Sequence, residues 1–230
     1  MTGHTKTEKN TPEETKSGVR VDTLVLGPFG TNTYVVTCTE TGKAVVIDPG
    51  FQGDRIAQFV KDNDLNVVQI LITHGHVDHA SAMNSLLKEL KPAEVATAIH
   101  EDDLIFLERL PEAAAAFGLS AERVQRPTRL LKDGDIVEVG NLRFLTIHTP
   151  GHSPGGAAFL LEEENIVFVG DTLFCRGIGR TDLPGGSYRV LESSIMNRLY
   201  ILDPSTKVYT GHGPPTTIRE EKSMNPFVTG

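Results

Sequence analysis

Residues 73–79 constrain what this chain can fold into, and what it can do, more than any other segment. They spell Thr-His-Gly-His-Val-Asp-His and end a stretch, residues 67–73, that is typical of a buried strand. Imidazole nitrogens and carboxylate oxygens are the ligands that suit zinc, iron and manganese in proteins. The segment places four of them within six positions: His74, His76, Asp78 and His79. It therefore predicts a metal site where a strand ends and a helix begins.

Three later segments repeat this design, with a strand, then a potential ligand, then glycine or proline. The potential ligands are His152 in residues 149–156, Asp171 in residues 167–172 and His212 in residues 208–214. Small residues around them let the backbone turn sharply and bring one side chain from each segment to a common point. Each segment alone is a weak signal, since an aspartate after a glycine is more often a turn or a helix cap. Together with the first cluster, they predict one site built from several strand ends.

The rest of the chain alternates short apolar runs with turn residues. Strands are predicted at residues 19–25, 32–37, 44–47, 67–73, 94–99, 136–139, 142–147, 157–161, 166–169 and 207–209. Helices are predicted at residues 55–62, 78–90, 101–110, 112–117, 190–199 and 216–223. Both halves of the chain thus hold several strands flanked by helices. This order predicts an α+β fold in which two packed sheets have helices outside them, a four-layer α/β/β/α sandwich.

Length and charge narrow the class of protein. The 230 residues fit one domain, predicted at residues 19–230, after a polar tail at residues 1–18 that is predicted to be disordered. The net charge of -8 disfavours a nucleic-acid partner, because phosphate binding needs a concentrated positive surface. The sequence has no apolar run long enough for a membrane span, and its two cysteines, Cys38 and Cys175, suit a reducing compartment. We therefore expect a soluble cytoplasmic protein without a nucleic-acid or membrane partner.

In their order and spacing, the four ligand segments resemble the metallo-β-lactamase superfamily, and more closely the glyoxalase II (hydroxyacylglutathione hydrolase) family. The resemblance covers residues 19–227 and implies the metallo-β-lactamase fold. By position, it implies that two divalent metal ions are bound, with zinc as the first choice and iron or manganese as alternatives. The implied ligands are His74, His76 and His152 for the first ion, Asp78, His79 and His212 for the second, and Asp171 for both.

The resemblance implies hydrolysis of a thiolester such as S-D-lactoylglutathione, a glutathione thiolester. Two metal ions can share a water whose pKa falls to about 7, so that hydroxide is available at neutral pH to attack the carbonyl carbon. Asp78 and Asp171 are the predicted catalytic carboxylates. Thr73 and Asp48 are candidates to orient the ligand imidazoles, although turn formation in the segment Asp-Pro-Gly explains Asp48 equally well.

Substrate contacts are predicted in residues 176–184, which follow Asp171. Classical glyoxalase II supplies a lysine and a tyrosine from this region, where this chain has Arg180 and Asp182. Arg176 and Arg180 are therefore candidate contacts for a substrate carboxylate, and loop salt bridges explain both arginines equally well. The helical C-terminal domain of the classical enzyme has no counterpart in this chain, so we expect the short bacterial form.

Three other functions share this fold. Persulfide dioxygenases use one iron, with ligands that match His74, His152 and Asp171, and have a stretch similar to residues 179–182; the Gly-His-Gly-Pro context of His212 is closer to the hydrolases. A nuclease would need a basic RNA-binding arm, which the sequence lacks. A lactonase or β-lactamase is disfavoured because no secretory signal is recognisable.

Two further histidines, His100 and His148, are predicted to be structural.

Overall fold

A computed structural model describes residues 13–14, 18–90 and 95–229 of the chain. Most of the predicted tail at residues 1–18 lies outside these residues, as does Glu94, the predicted first residue of a strand. The disorder of the tail and the domain boundary after it therefore stay predictions.

Fifteen strands and seven α-helices make up the described part of the chain. The strands are β1 (Glu13–Glu14), β2 (Val19–Leu26), β3 (Thr31–Cys38), β4 (Lys43–Ile47), β5 (Asn66–Ile72), β6 (Ala96–His100), β7 (Arg129–Leu131), β8 (Ile136–Val139), β9 (Leu142–His148), β10 (Ala157–Leu161), β11 (Ile166–Gly170), β12 (Leu173–Phe174), β13 (Gly177–Ile178), β14 (Lys207–Thr210) and β15 (Thr216–Thr217). The helices are α1 (Gly53–Asp62), α2 (Val77–Ala80), α3 (Met83–Glu89), α4 (Leu104–Glu108), α5 (Leu110–Ala116), α6 (Tyr188–Ser194) and α7 (Ile218–Met224). A 3-10 turn, Glu101–Asp103, precedes α4, and a π turn, Ile195–Leu199, follows α6.

The strands form two large sheets. The first sheet has the order β1-β2-β3-β4-β5-β6-β7, antiparallel as far as β4 and parallel from β4 to β7. The second sheet has the order β15-β14-β11-β10-β9-β8, in which only β11 and β14 are parallel. The strands β12 and β13 form a separate short ribbon.

Three apolar layers hold these elements together, because successive side chains of a strand point to opposite faces of its sheet. Val35, Val46 and Ile70 pack with residues of α1 and α3, whereas their neighbours Val36, Val45 and Leu71 pack between the two sheets. In the second sheet, Phe159 faces the first sheet and Leu160 faces α6 and α7. The layers are therefore helix, sheet, sheet and helix, and the predicted α/β/β/α sandwich is confirmed.

The helix predicted at residues 78–90 is divided into α2 and α3. The backbone N–H of Ala82 donates to the carbonyl of Pro49 at 2.9 Å instead of to a carbonyl in its own helix. Gly50 lies against this break, since a Cβ there would be 1.6 Å from the carbonyl oxygen of Asp78. The loop after β4 thus interrupts the helical hydrogen bonds between α2 and α3.

The prediction missed the short strands β1, β7, β12, β13 and β15, of which β1 lies within the segment predicted to be a disordered tail. Each has two or three residues, too few to display the alternation that identifies a strand. The last predicted helix, at residues 216–223, also began too early. Thr217 is its N-cap, because the Thr217 hydroxyl accepts from the backbone N–H of Glu220 at 3.2 Å.

The topology brings several loops to one edge of the sandwich. The loops after β4 and β5 leave neighbouring parallel strands of the first sheet, and those after β11 and β14 leave neighbouring parallel strands of the second. The loop after β9, in the second sheet, lies at the same edge. The sequence predicts metal ligands in the segments after β5, β9, β11 and β14, whereas the loop after β4 contains Asp48, a candidate to orient a ligand imidazole. No helix in the described part of the chain is long and apolar enough to cross a membrane.

Candidate metal centre

The imidazoles of His74, His76 and His152 converge on one point, and we call these three residues group A. His76 Nδ1 lies 2.9 Å from His152 Nε2, and His74 Nε2 lies 3.2 Å from the same atom. His74 and His76 come from the loop after β5, and His152 comes from the loop after β9. Group A is thus assembled from both sheets.

Asp78, His79 and His212 form a second cluster, which we call group B. Asp78 Oδ2 lies 3.5 Å from His79 Nε2 and 3.2 Å from His212 Nε2. Asp78 and His79 are successive residues of α2, whereas His212 follows β14 in the second sheet. Group B therefore also takes residues from both halves of the fold.

Asp171 lies between the two groups. Its Oδ2 is 3.7 Å from His152 Nε2 in group A and 3.4 Å from His212 Nε2 in group B, while its Oδ1 is 3.3 Å from His79 Nε2. The backbone next to His212 approaches this carboxylate so closely that a Cβ on Gly211 would lie 2.0 Å from Asp171 Oδ1. Only glycine leaves room for Asp171 to reach both groups.

The donor atoms have the chemistry and the spacing of metal ligands. Atoms that bind one tetrahedral zinc at 2.0–2.1 Å lie about 3.3 Å from one another, and the separations above range from 2.9 to 3.7 Å. Among the described residues, His79 Nε2 and Asp171 Oδ1 are buried and make no hydrogen bond. Buried polar atoms without partners are costly, and a bound cation would satisfy both. The cluster therefore fits divalent metal ions.

Burial keeps two histidines of group A, His74 and His76, neutral. Together with neighbouring histidines, burial lowers the pKa of His74 well below its ordinary value and lowers the pKa of His76 to about 3. Both rings are therefore uncharged at neutral pH and have a lone pair to offer, which is the state that binds metal ions.

The carboxylates of the cluster are ionised. Burial alone would raise the pKa of Asp78, but His79 and His212 lower it to about 2. Burial opposes the ionisation of Asp171 as well, yet His79 and His212 hold its pKa well below the usual range. Burial alone would lower the pKa of His212, but Asp171 and Asp78 raise it to about 10. These carboxylates favour positive charge around group B, which protons or a metal cation can supply.

Backbone carbonyls orient two of the imidazoles. His152 Nδ1 lies 2.7 Å from the carbonyl oxygen of Arg180, and His212 Nδ1 lies 3.2 Å from that of Phe29. A carbonyl oxygen only accepts hydrogen bonds, so Nδ1 is the protonated nitrogen of each ring. The Nε2 lone pairs of His152 and His212 therefore point into the cluster.

Asp48 orients two more imidazoles. Its carboxylate accepts from His79 Nδ1 at 2.9 Å, and from the backbone N–H and the hydroxyl of Thr73, each at 2.7 Å. The Thr73 hydroxyl oxygen in turn lies 3.1 Å from His74 Nδ1 and accepts from it. Asp48 also has a φ of 53°, the left-handed conformation of a turn residue. Both interpretations of Asp48 from the sequence are therefore correct.

Asp103, which the sequence analysis missed, joins the two loops that form group A. Its side chain is fully buried. The carboxylate accepts from the backbone N–H of Gly75 at 2.7 Å, from the Ser153 hydroxyl at 2.8 Å and from the backbone N–H of Gly155. Gly75 separates His74 from His76, and Ser153 follows His152. The sequence offered one signal, the position of Asp103 three residues after the end of β6, a strand that runs parallel to β5.

A cavity of about 330 Å³ opens onto the cluster. Part of its lining comes from the candidate ligands, and two arginines, Arg109 and Arg180, also line it. The apolar part of the lining, which we call the apolar wall, comprises Phe29, Val77, Phe106, Ala113, Phe117 and Leu183. The rings of Phe29 and Phe117 meet edge to face at 6.0 Å, yet they stay 45% and 50% exposed. A cavity that combines such a wall with convergent polar groups is typical of a small-molecule site.

Comparison with known proteins identifies the family. The sequence pattern of the metallo-beta-lactamase superfamily matches residues 26–212, which include all seven candidate ligands. The chain belongs to the metallo-beta-lactamase superfamily. It is 40% identical to the hydroxyacylglutathione hydrolase GloC of Haemophilus influenzae over 186 residues, which cover 80% of this chain and 87% of that protein.

Solved structures of the same superfamily match over nearly their full length. A crystal structure of TTHA1623 in a di-iron-bound form is 38% identical, with a TM-score of 0.81, and covers 90% of this chain and 99% of that one. A crystal structure of the B3 metallo-beta-lactamase BLEG-1 is 34% identical, with a TM-score of 0.84, and covers 91% and 100%. Together with the cluster, these matches identify a metal-binding hydrolase of the superfamily.

The two arginines that were predicted to contact the substrate, Arg176 and Arg180, lie in different surroundings. Arg180 lines the cavity, and its guanidinium is held by Asp182 through two contacts of 2.7 Å. Arg176 lies outside the cavity lining, where its guanidinium and backbone N–H both bind the fully buried carboxylate of Glu221. The surroundings of Arg176 therefore match the loop salt bridge that was its alternative interpretation.

Two further histidines of the described residues, His100 and His148, lie apart from the cluster. His100 and His148 stack face to face with their ring centroids 4.0 Å apart, and His148 Nε2 donates to the carbonyl of Pro154 at 2.8 Å. Asp102 Oδ2 lies 3.7 Å from His100 Nδ1 and 3.9 Å from His148 Nε2, so these three residues could also hold an ion, and the structural role of the two histidines stays a prediction. The two thiols are free, and Cys38 is buried while Cys175 is partly buried.

Replacing Arg176 with methionine is expected to lower the free energy of unfolding by about 1–2 kcal/mol, because the buried Glu221 loses its charged partner at a site that is partly open to solvent. The KM for a hydrolysed substrate should stay within about twofold of the wild-type value. Urea denaturation and steady-state kinetics measure the two effects. A raised KM with unchanged stability would instead identify Arg176 as a substrate contact.

Proposed function

We propose that this protein is a dinuclear metal-dependent hydrolase that cleaves thiolesters such as S-D-lactoylglutathione. The single observation that supports two ions is the position of Asp171, whose two oxygens face group A and group B at once. The similarity to a hydroxyacylglutathione hydrolase supports the thiolester, and the similarity to a di-iron-bound structure supports two ions.

In this proposal, His74, His76 and His152 hold one divalent ion, and Asp78, His79 and His212 hold the other. Asp171 would contribute to holding both. When bound, the ions would supply a water activated for attack at neutral pH and an electrophile for the carbonyl oxygen. Zinc is the first choice, and iron or manganese suits the same nitrogen and oxygen ligands.

The protein's own residues orient the reactants. Asp78 is ionised at neutral pH, and its Oδ2 faces Thr31, His79 and His212. We assign its Oδ1 to accept a hydrogen bond from the attacking water and so to direct the water towards the carbonyl carbon. The apolar wall lies beside the cluster and would keep bulk solvent away from the bound substrate. The leaving thiolate is stable at neutral pH and needs little help from a general acid.

Metal analysis of protein purified without chelator, combined with a hydrolysis assay, tests this proposal. We expect about two metal ions per chain, cleavage of S-D-lactoylglutathione, and loss of that activity after chelation with recovery when metal is restored. His212→Ala should lower the metal content to about one ion per chain and abolish cleavage. His148→Ala, the same change at a histidine outside the cluster, should retain both ions.

Three other outcomes would contradict the proposal. One iron per chain, no thiolester cleavage and oxygen uptake with glutathione persulfide would establish the dioxygenase. Hydrolysis of a β-lactam without thiolester cleavage would assign a different substrate to the same metal centre. Full activity in protein that contains no metal would rule out the mechanism altogether.

A further inference from the structure

We infer that Arg109 selects the substrate of the proposed hydrolase, and that the class it selects is a thiolester with a negatively charged group in its thiol portion, beside an apolar segment. The reaction in this inference is that of the proposed function, on which it rests, whereas the selectivity follows from the lining of the cavity. No part of it depends on which metal is bound.

Arg109 is an unpaired cation in the cavity lining. It joins α4 to α5, its side chain is exposed, and within the described residues its guanidinium forms no ion pair and no hydrogen bond. The other lining arginine, Arg180, differs, since Asp182 contacts its Nε and its Nη2 at 2.7 Å each. A ligand anion would compete with Asp182 at Arg180 and would meet no competitor at Arg109.

The apolar wall places Arg109 within reach of the same ligand. Phe106, Arg109, Ala113 and Phe117 are three or four positions apart along the α4–α5 segment, and all four line the cavity. Residues at this spacing share one face of a helical segment. Phe106 also meets the imidazole of His76, with 5.7 Å between the ring centroids. The lining thus runs from group A over an aromatic side chain to a free guanidinium.

This order of groups indicates the chemistry of the ligand. The thiolester carbonyl would lie at the cluster, an apolar segment would cover the aromatic rings, and an anionic group would reach Arg109. A guanidinium binds carboxylate and phosphate with two parallel hydrogen bonds, whereas a neutral amide or hydroxyl gains much less. The anion is therefore a carboxylate, as in a peptide thiol, or a phosphate, as in a nucleotide thiol.

Binding of thioethers, which cannot be hydrolysed, tests the inference separately from catalysis. The probes are S-hexylglutathione, which has carboxylates, S-hexyl-coenzyme A, which has phosphates, and S-hexyl-N-acetylcysteamine, which is neutral. Their dissociation constants are measured calorimetrically with the purified protein and with three variants: Arg109→Met, Arg109→Lys and Arg143→Met. Arg143 is an exposed arginine of β9 that pairs with Glu138 and lies outside the cavity lining.

We expect Arg109→Met to weaken binding of a charged thioether about tenfold and to leave the neutral one within about twofold. Arg109→Lys should recover part of the loss, and Arg143→Met should match the wild type with every probe. The charged probe that shows the larger change identifies the anion as carboxylate or phosphate. Thermal unfolding of each variant confirms that it is folded.

Equal losses for charged and neutral probes would overturn the inference, as would no loss for either or no binding of any probe by the wild type. Charge-selective binding through Arg109 in a protein that cleaves no thiolester would contradict the proposed function and keep the selectivity. Thiolester cleavage together with binding that does not depend on the charge of the probe would support the proposed function and overturn the selectivity of Arg109.

Discussion

Replacing Asp171 with asparagine is expected to lower kcat/KM for thiolester hydrolysis by about a thousandfold, equivalent to about 4 kcal/mol of transition-state stabilisation. Asparagine has nearly the same size, but it lacks the negative charge and one of the two oxygens that face groups A and B. Two cations brought close together repel each other unless an anion lies between them. The variant should therefore also bind less metal.

Steady-state kinetics and metal analysis on the same sample measure both effects. Asp62→Asn is the matched control, since Asp62 ends α1 and only accepts a hydrogen bond from Gln58. It should retain the activity and the metal content of the wild type. An Asp171→Asn variant that keeps about two ions per chain and more than a tenth of the activity would show that the two groups do not depend on Asp171.

Replacing Asp103 with alanine is expected to lower the free energy of unfolding by about 2–4 kcal/mol and kcat/KM by about 10–100-fold. The change leaves the backbone N–H groups of Gly75 and Gly155 and the hydroxyl of Ser153 without their common acceptor, in a buried place. The same three contacts hold the loop of His74 and His76 against the loop of His152. The metal of group A should therefore be lost before the metal of group B.

The neighbouring residue provides the control. Asp102 precedes Asp103 in the same 3-10 turn, but its side chain is 54% exposed, so Asp102→Ala should change the unfolding free energy by about 0.5 kcal/mol or less. Urea denaturation and titration of metal against a chelator compare the two variants. If Asp103→Ala loses stability while both ions are bound as tightly as before, Asp103 supports the fold without positioning group A.

Local patterns in the sequence were enough to predict the layers of the fold and the seven residues of the cluster. Strands such as β3 and β5 are long enough for their composition to identify them, and the helix α1 displays a clear apolar face. The candidate ligands are recognisable because each is a histidine or an aspartate in a segment where a strand ends in a turn. Their assignment as metal ligands remains a prediction that the metal analysis of His212→Ala tests.

Other parts of the site depend on contacts between distant residues, which no local pattern records. Asp103 is one of three successive acidic residues, and only the folded chain distinguishes it from Asp102. Arg109 and Phe106 likewise have the spacing of an ordinary helix. Their place in the cavity depends on how α4 and α5 lie over the loop after β5, which the packing of the whole first sheet determines.

The division of each ligand group between the two sheets has a consequence for how the protein matures. As the chain is synthesised, residues 18–131 emerge first with His74, His76, Asp78 and His79, and they lack every ligand that the second sheet contributes. His152, Asp171 and His212 join them only when the later strands have folded and docked. Neither group can be completed until the second sheet has docked on the first, so under the proposed function tight metal binding would mark the end of assembly.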